Sequence, residues 1–317
     1  GSLDMPPYVW VDTGRVTAVP DREEGVSPKD DQYGWYRKGP IGSDFHIQEV
    51  LPHLFDKSME YVNDRSEEAR NGKPFFLYFP LPAPHTPIVP VPPFRDASGL
   101  NPYGDFVMQV DYLMGELLDC VKKNGLENNT LVIFTSDNGC SPQANFDLLK
   151  EHGHNPSGIF RGHKADIFEG GHRVPLIVKW PGHIAPRTTT QALACHTDIY
   201  TSLAEIVNHS DHAIGGEDGY SLLPVFHGKR SSDRTALVSH SIDGSFAIRE
   251  GKWKLCLCYG SGGWSIPKEK VAKAEGLPPL QLYDLSQDIA ETTNLAEKNN
   301  EKVRHLLKLL DDIVQKG

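Results

Sequence analysis

Continuous apolar runs, each followed by a stretch rich in polar residues, glycine or proline, constrain this fold more than any other feature of the sequence. Runs at 74–79 and 131–135 have the form expected of strands that are buried on both faces, and the run at 174–180 predicts a third strand. Stretches at 47–70 and 106–121 have apolar residues at every third or fourth position, which is typical of helices with one buried face. Strands that alternate with helices predict an α/β fold, with a mixed, mostly parallel sheet and helices on both of its faces.

The pattern changes in the last quarter of the chain. Short apolar runs separated by turn residues follow one another between 236 and 258, and Arg249–Lys252 has the composition of a hairpin turn. An amphipathic stretch at 303–314 predicts a helix packed on these strands. We therefore predict an α/β portion over residues 1–233 and a small antiparallel α+β portion over residues 234–317.

Charge and apolar content argue against two classes of partner. The chain has 42 acidic and 32 basic residues and a formal net charge of −10, whereas a nucleic-acid-binding surface needs an excess of basic residues. No stretch approaches the ~18 consecutive apolar residues of a membrane-spanning helix. The five cysteines form no CxxC pair and no zinc-type spacing with histidine. The sequence thus predicts neither nucleic acid nor membrane as a partner.

A carboxylate, a carboxamide and a glycine follow the second apolar run. Asp137 and Asn138 would offer two hard oxygen ligands of the kind that calcium or magnesium prefers, and Gly139 would let the chain turn away sharply. Sites in open α/β sheets form beyond the carboxyl ends of the strands, which is where these residues stand. The alternative is an ordinary turn, because the same three residue types are common in turns.

Two further segments contain candidate site residues. A lysine, two histidines and an arginine surround a glycine pair between His163 and Arg173, and such a segment would surround an anionic group. The alternative is a solvated charged loop in which Glu169 pairs with Arg173. His85 stands among three prolines that restrict its backbone, which would suit proton transfer, although a lone histidine is more often structural. Because each segment lies at the carboxyl end of a predicted parallel strand or in the loop near it, we expect them at one edge of the sheet.

These segments, in this order, resemble the sulfatase family of the alkaline-phosphatase-like superfamily. The resemblance extends over nearly the whole chain. The residues that establish it are Pro74–Tyr78 leading to His85, Thr135–Gly139, Arg161–Lys164 leading to Glu169–Pro175, Leu282–Leu285 and Glu291–Leu295.

The resemblance implies hydrolysis of a sulfate ester and a role for each matching residue. Asp137 and Asn138 match ligands of the family's calcium ion, Lys164 matches the lysine that contacts the sulfate, and His85 matches the histidine near the ester oxygen. Less securely, four more residues would line the substrate side or stabilise the loop: His154, Arg161, His163 and His172. The implied substrate is a sulfated small molecule or glycan, and the implied location is periplasmic or extracellular.

The sequence also departs from the family. Sulfatases need a Cys/Ser-x-Pro-x-Arg motif whose first residue becomes a formylglycine nucleophile, and no cysteine or serine here begins that motif. Cys140 has Pro142 at the right offset, but Ala144 stands where the motif requires arginine. The family's early acidic metal ligands are missing as well. We therefore expect the C-terminal part of a sulfatase, inactive alone, with calcium absent or weakly bound.

Three expectations remain open. A chain that lacks part of its sheet would bind an N-terminal fragment or self-associate through exposed apolar surface. A phosphatase or phosphodiesterase of the same superfamily would share the fold but would usually hold two transition metals. A non-catalytic protein that binds anions or partners would keep the anion pocket without a nucleophile.

Overall fold

The computed structural model describes residues 3–208, 216–229 and 231–316. The chain divides into two compact units. The first consists of Gly1–Thr130 and Ser141–Pro156, and the second of Leu131–Cys140 and Ser157–Gly317. The described residues include no helix that is both long and apolar enough to cross a membrane.

The first unit is built around two long helices that the sequence predicts. These are α1 (Val50–Arg70) and α2 (Pro102–Lys123), and a short helix, α3 (Phe146–Glu151), belongs to the same unit. Helix α2 begins where Asn101 accepts a hydrogen bond from the Gly104 N–H (3.1 Å) and Pro102 takes the first helical position. The apolar faces of α1 and α2 meet in one core cluster, with Leu51 and Phe55 on α1 and Phe106, Val110 and Leu113 on α2. The spacing of apolar residues is therefore confirmed as helical.

Two antiparallel strand pairs precede α1 in the first unit. The strands are β1 (Val11–Asp12) with β2 (Arg15–Val16) and β3 (Arg22–Val26) with β4 (Tyr36–Ile41). The end of β4 lies in a buried aromatic cluster, where Ile41 packs with Tyr8 and Phe45. The apolar residues of this region thus form a small core of their own.

The segment at 74–79 differs from its prediction as a strand buried on both faces. It is not paired with any strand of the described residues, and its side chains alternate in burial. Phe75 and Leu77 pack beside α1 and α2, whereas Phe76 and Tyr78 are 68% and 76% exposed. The expectation is wrong here because helices cover one face and no described strand covers the other.

The second unit begins with a short strand pair. Strand β5 (Val132–Thr135) pairs with β6 (Leu176–Lys179), and both correspond to predicted strands. The two strands run antiparallel, and Leu176 pairs with Thr135. They are therefore not neighbours in a parallel ladder, and Ile177 is 61% exposed. Three short helices of this unit are α4 (Glu169–His172), α5 (Thr197–Ile206) and α6 (Leu223–Phe226).

The C-terminal antiparallel sheet and its helix are confirmed. The strands, in the spatial order β10-β9-β8-β7, are β7 (Ala236–His240), β8 (Phe246–Glu250), β9 (Trp253–Cys256) and β10 (Gln281–Asp284). Helix α7 (Glu269–Ala274) precedes β10, and helix α8 (Asn300–Lys316) follows it. On α8, Leu306 and Leu310 pack against Ile248, Leu255 and Leu282 of the sheet. The domain boundary between residues 233 and 234 stays a prediction.

Candidate functional site

The loop that follows β5 places the two predicted metal ligands at the end of a strand. Asp137 is exposed and Asn138 is half-buried. The Ser136 hydroxyl donates to the Asn138 carbonyl (3.1 Å), and the Asn138 side-chain amide donates to the Gly139 carbonyl (3.2 Å). These bonds hold the turn in shape, and they leave the Asp137 carboxylate at the surface.

Two backbone hydrogen bonds join this loop to the segment that contains Lys164. The Gly139 N–H donates to the Gly171 carbonyl (3.0 Å), and the Lys164 N–H donates to the Cys140 carbonyl (2.9 Å). A Cβ atom at position 139 would lie 1.8 Å from the Gly170 carbonyl oxygen, so the close approach requires glycine here. The structure thus brings the loop of Asp137 and Asn138 together with that of Lys164.

The residues beside Lys164 are held by a buried carboxylate that no sequence motif indicated. Asp166 is fully buried and accepts a hydrogen bond from the His163 N–H (2.9 Å). The His163 imidazole is half-buried, and its Nδ1 donates to the Lys164 carbonyl (3.0 Å). The sequence offered one signal for its burial, since Asp166 directly precedes the apolar pair Ile167 and Phe168. A carboxylate buried beside them needs hydrogen-bond donors.

Arg161 lies at the other end of this segment and is engaged with the protein. Its guanidinium donates to the Glu291 carbonyl (2.7 Å) and to the Tyr283 hydroxyl (3.3 Å). The same group stacks over the Phe168 ring at 3.8 Å. These contacts stabilise the loop, and a role for Arg161 toward substrate stays a prediction.

A buried ion cluster fixes α4 to the C-terminal sheet. Lys254 Nζ lies 3.1 Å from Glu169 Oε1 and 2.9 Å from Glu291 Oε1, and all three side chains are buried. Glu169 also accepts from Arg173 Nε (2.7 Å), which confirms the expected pair, and lies 3.5 Å from Arg249. Sequence reasoning did not indicate Lys254, nor the pairing of Glu291 with it, because no spacing rule relates these residues to Glu169.

Burial and charge act in opposite directions on these groups. Burial favours the neutral carboxyl of Glu169, but Lys254, Arg173 and Arg249 outweigh it and lower its pKa to about 2. Burial would likewise lower the pKa of Lys254, yet neighbouring Cys256 and the carboxylates of Glu169 and Glu291 raise it. Glu169 and Lys254 are therefore both charged at neutral pH.

His172 ends α4 as a neutral imidazole. Burial and the nearby Lys254 ammonium lower its pKa to about 4. Its Nε2 atom is buried and has no hydrogen-bond partner among the described residues. A buried polar atom of this kind usually finds a partner, a water or a ligand.

His85 and His154 belong to the first unit. His85 is half-buried, and its Nδ1 donates to the Thr86 carbonyl (2.7 Å). His154 is exposed, and its backbone N–H donates to the Leu149 carbonyl (2.9 Å). Their participation in a site with Lys164 stays a prediction.

The donor atoms at the end of β5 suit a calcium ion in kind but not in number. A carboxylate and a carboxamide are hard oxygen ligands, yet calcium takes ~6–8 of them. Within residues 3–208, 216–229 and 231–316, no three His, Cys, Asp or Glu side chains are grouped so that they could hold a metal. Asp137 and Asn138 alone therefore do not supply the full set of ligands that a calcium ion takes.

Comparison with known proteins identifies the family of this chain. The family model described as Sulfatase matches residues 26–209. An N-acetylgalactosamine-6-O-sulfatase of Bacteroides thetaiotaomicron is 33% identical over 291 residues, which is 88% of this chain and 54% of that protein. Human arylsulfatase A is 34% identical over 257 residues, which is 77% of this chain and 49% of that protein. The chain thus spans about half the length of these curated relatives.

Solved structures agree at the level of the fold. A Bacteroides thetaiotaomicron structure described with the metabolism of multiple glycosaminoglycans superimposes with a TM-score of 0.81 at 26% identity. The match covers 98% of this chain and 70% of that one. A Pseudoalteromonas sulfatase has a TM-score of 0.70 at 24% identity, over 88% of this chain and 56% of that one. With a relative 33% identical over 88% of its length and the alkaline-phosphatase-like α/β fold, this chain belongs to the sulfatase family.

Proposed function

We propose that this chain contributes the sulfate-binding part of a sulfatase active site and that the whole enzyme hydrolyses a sulfate ester. The observation that supports this most directly is the pair of backbone hydrogen bonds between the Asp137–Asn138 loop and the Lys164 loop. These bonds bring a segment with a cationic side chain to oxygen ligands at the end of a strand. The relatives named N-acetylgalactosamine-6-O-sulfatase and arylsulfatase A support a sulfated glycan or small molecule as the substrate.

Each proposed role follows from the chemistry of the side chain. Lys164 would bind a sulfate oxygen through its ammonium group and oppose the charge that develops there. Asp137 and Asn138 would hold the divalent cation, which polarises sulfate oxygens when it is bound. His85 would exchange a proton with the leaving oxygen. Four further residues would line the substrate side or stabilise the loop: His154, His163, His172 and Arg161.

The nucleophile of the reaction is proposed to come from outside this sequence. Formylglycine forms from a Cys or Ser in a fixed motif, and the chain has no such motif, since Ala144 replaces the arginine that would make Cys140 fit. Covalent catalysis depends on an activated nucleophile. We therefore expect the 317-residue chain to bind sulfate esters without turning them over at a sulfatase's rate.

The exposed aromatic residues of the first unit support a polypeptide partner. Phe76 and Tyr78 lie on an extended segment that no described strand pairs with. An extended segment without a strand partner and with exposed apolar side chains can take up an added strand. We propose that an N-terminal fragment of the sulfatase fold, or a second copy of the chain, covers it.

An activity assay with an aryl sulfate tests the proposed function. The purified chain is assayed alone and with a separately expressed N-terminal portion that contains the formylglycine motif. We expect turnover only from the combination, and its loss in a Lys164→Met variant of the chain. Robust turnover by the isolated chain, removed by Cys140→Ala, would overturn the assignment of the nucleophile. Binding without turnover in every combination would favour the non-catalytic anion-binding protein.

A further inference from the structure

The backbone is strained directly after Lys164. Ala165 has a φ of 82°, in the left-handed region that residues with a side chain rarely adopt. Such a conformation persists only where the surrounding contacts over-determine it, and strained residues concentrate at functional sites. The contacts that hold Ala165 therefore decide the direction in which Lys164 leaves the backbone.

The carboxylate of Asp166, the residue after Ala165, accepts four hydrogen bonds that brace this turn. Its oxygens accept the backbone N–H groups of His163 (2.9 Å), Trp264 (2.8 Å) and Ser265 (2.9 Å), and the Ser265 hydroxyl as well. The side chain is 0% exposed, and the imidazole Nδ1 of His163 lies 3.6 Å from Oδ2. An ionised carboxylate is an acceptor only, so it matches four donors, and hydrogen bonds to a charged group are the strong ones.

Two backbone bonds fasten the same turn on either side of this carboxylate. The Ala165 carbonyl accepts from the Ile242 N–H (3.0 Å), and the Ile167 N–H donates to the Ser261 carbonyl (2.9 Å). The turn is thus tied to the C-terminal part of the second unit at three successive residues. The Lys164 N–H itself donates to the Cys140 carbonyl, which directly follows the Asp137–Asn138 loop.

We propose that Asp166 is the positioning residue for Lys164: its buried carboxylate holds the strained turn against Trp264 and Ser265 and so directs Lys164 beside the Asp137–Asn138 loop. This inference deepens the proposed function and rests on it, because it takes Lys164 as the sulfate-binding group. It also assigns a task to the segment at 261–265, which no predicted motif includes. The C-terminal part of the second unit thereby acts on the site through one side chain.

Asp166→Asn is the diagnostic substitution because it replaces one acceptor oxygen of the carboxyl group with a donor. Asparagine keeps the size of aspartate, but one of its two terminal groups becomes a donor that faces the N–H groups of the turn. At least one of these donors then lacks an acceptor. Ser265→Ala is the milder second variant, since it removes only the hydroxyl bond. Asp105→Asn is the matched control, because Asp105 is also buried and accepts the backbone N–H groups of Asp96 and Ser98 in the first unit (2.9 Å each).

The test uses the full isotope-labelled chain with inorganic sulfate as the probe. Amide exchange of Lys164 reports the bond to Cys140, and the Lys164 side-chain resonance during a sulfate titration reports affinity. For Asp166→Asn we expect at least about tenfold faster Lys164 exchange, after correction for global stability from urea unfolding, and about tenfold weaker sulfate binding. Ser265→Ala should shift both readouts in the same direction by less, and Asp105→Asn should shift neither.

Different results identify which idea fails. Unchanged Lys164 exchange and unchanged sulfate affinity in Asp166→Asn and Ser265→Ala would overturn the positioning role. If Asp166→Asn does not fold, Ser265→Ala decides the question by the same two readouts. A Lys164→Met variant that binds sulfate as tightly as the unmodified chain would instead overturn the proposed function, while the exchange data would still report on the turn.

Discussion

At residue scale, position 139 has no room for a side chain. A Cβ atom there would lie 1.8 Å from the Gly170 carbonyl oxygen, so Gly139→Ala must separate the two loops of the site. We expect a loss of stability of about 1–3 kcal/mol in urea unfolding, as for other overpacked positions. Gly115→Ala is the control, because a Cβ there meets nothing within 4 Å in helix α2, and alanine should stabilise the helix by about 0.5–1 kcal/mol. Equal effects of the two substitutions would contradict the close packing of the loops.

Also at residue scale, His172 makes the folding stability depend on pH. Its pKa falls from 6.5 in the unfolded chain to about 4 in the folded chain, because burial and Lys254 disfavour the imidazolium. Between these values the unfolded chain binds more protons, so folding stability falls as the pH decreases from 6.5 to 4, by on the order of 3 kcal/mol at most. Urea unfolding at about pH 7 and about pH 5 should show this loss, and His172→Asn should reduce it. The same loss in both proteins would assign the effect to other groups.

At the scale of elements, the Glu169–Lys254–Glu291 cluster links α4 to strand β9 and to the segment before α8. Lys254→Met leaves two buried carboxylates without the ammonium between them, and the expected loss of stability is roughly 3–5 kcal/mol. Lys252→Met is the matched control, because Lys252 pairs with Asp284 (2.6 Å) while its side chain is 51% exposed. Its urea midpoint should stay close to that of the unmodified chain. A comparable loss of stability in Lys252→Met would show that the burial of Lys254 and its carboxylates does not cause the effect.

At the scale of the whole molecule, exposed apolar side chains set the tendency to associate. Phe76 and Tyr78 share one face of an extended segment whose other face is covered by helices. We expect concentration-dependent association in light scattering, reduced by the double substitution Phe76→Ser and Tyr78→Ser. Ile266→Ser is the control, since Ile266 is 86% exposed but stands outside that segment. A chain that is monomeric at every concentration would contradict self-association and leave a fragment as the partner to test.

Local patterns were sufficient for much of this protein. The periodicity of α1 and α2 predicts helices because the residues that share a helix face are three or four positions apart. The short runs and the turn near Gly251 predict the C-terminal hairpins in the same way, and the motifs around Asp137 and Lys164 identify the family. Each of these signals lies within a few neighbouring residues, which is the range in which backbone geometry relates sequence to structure.

Tertiary structure alone decided which distant groups support the site. Trp264 and Glu291 meet Asp166 and Glu169 across 98 and 122 residues of chain, and no spacing rule reaches that far. The antiparallel orientation of β5 and β6 and the exposure of Phe76 likewise depend on which strands and helices become neighbours. Apolar character in the sequence indicates that burial would be favourable, but the folded chain determines what is available to cover each face. The sequence by itself therefore determined the long helices, the C-terminal hairpins, the motifs and the family. Packing and the need of buried charges for partners decided that Trp264 and Lys254 meet the segment that contains Lys164.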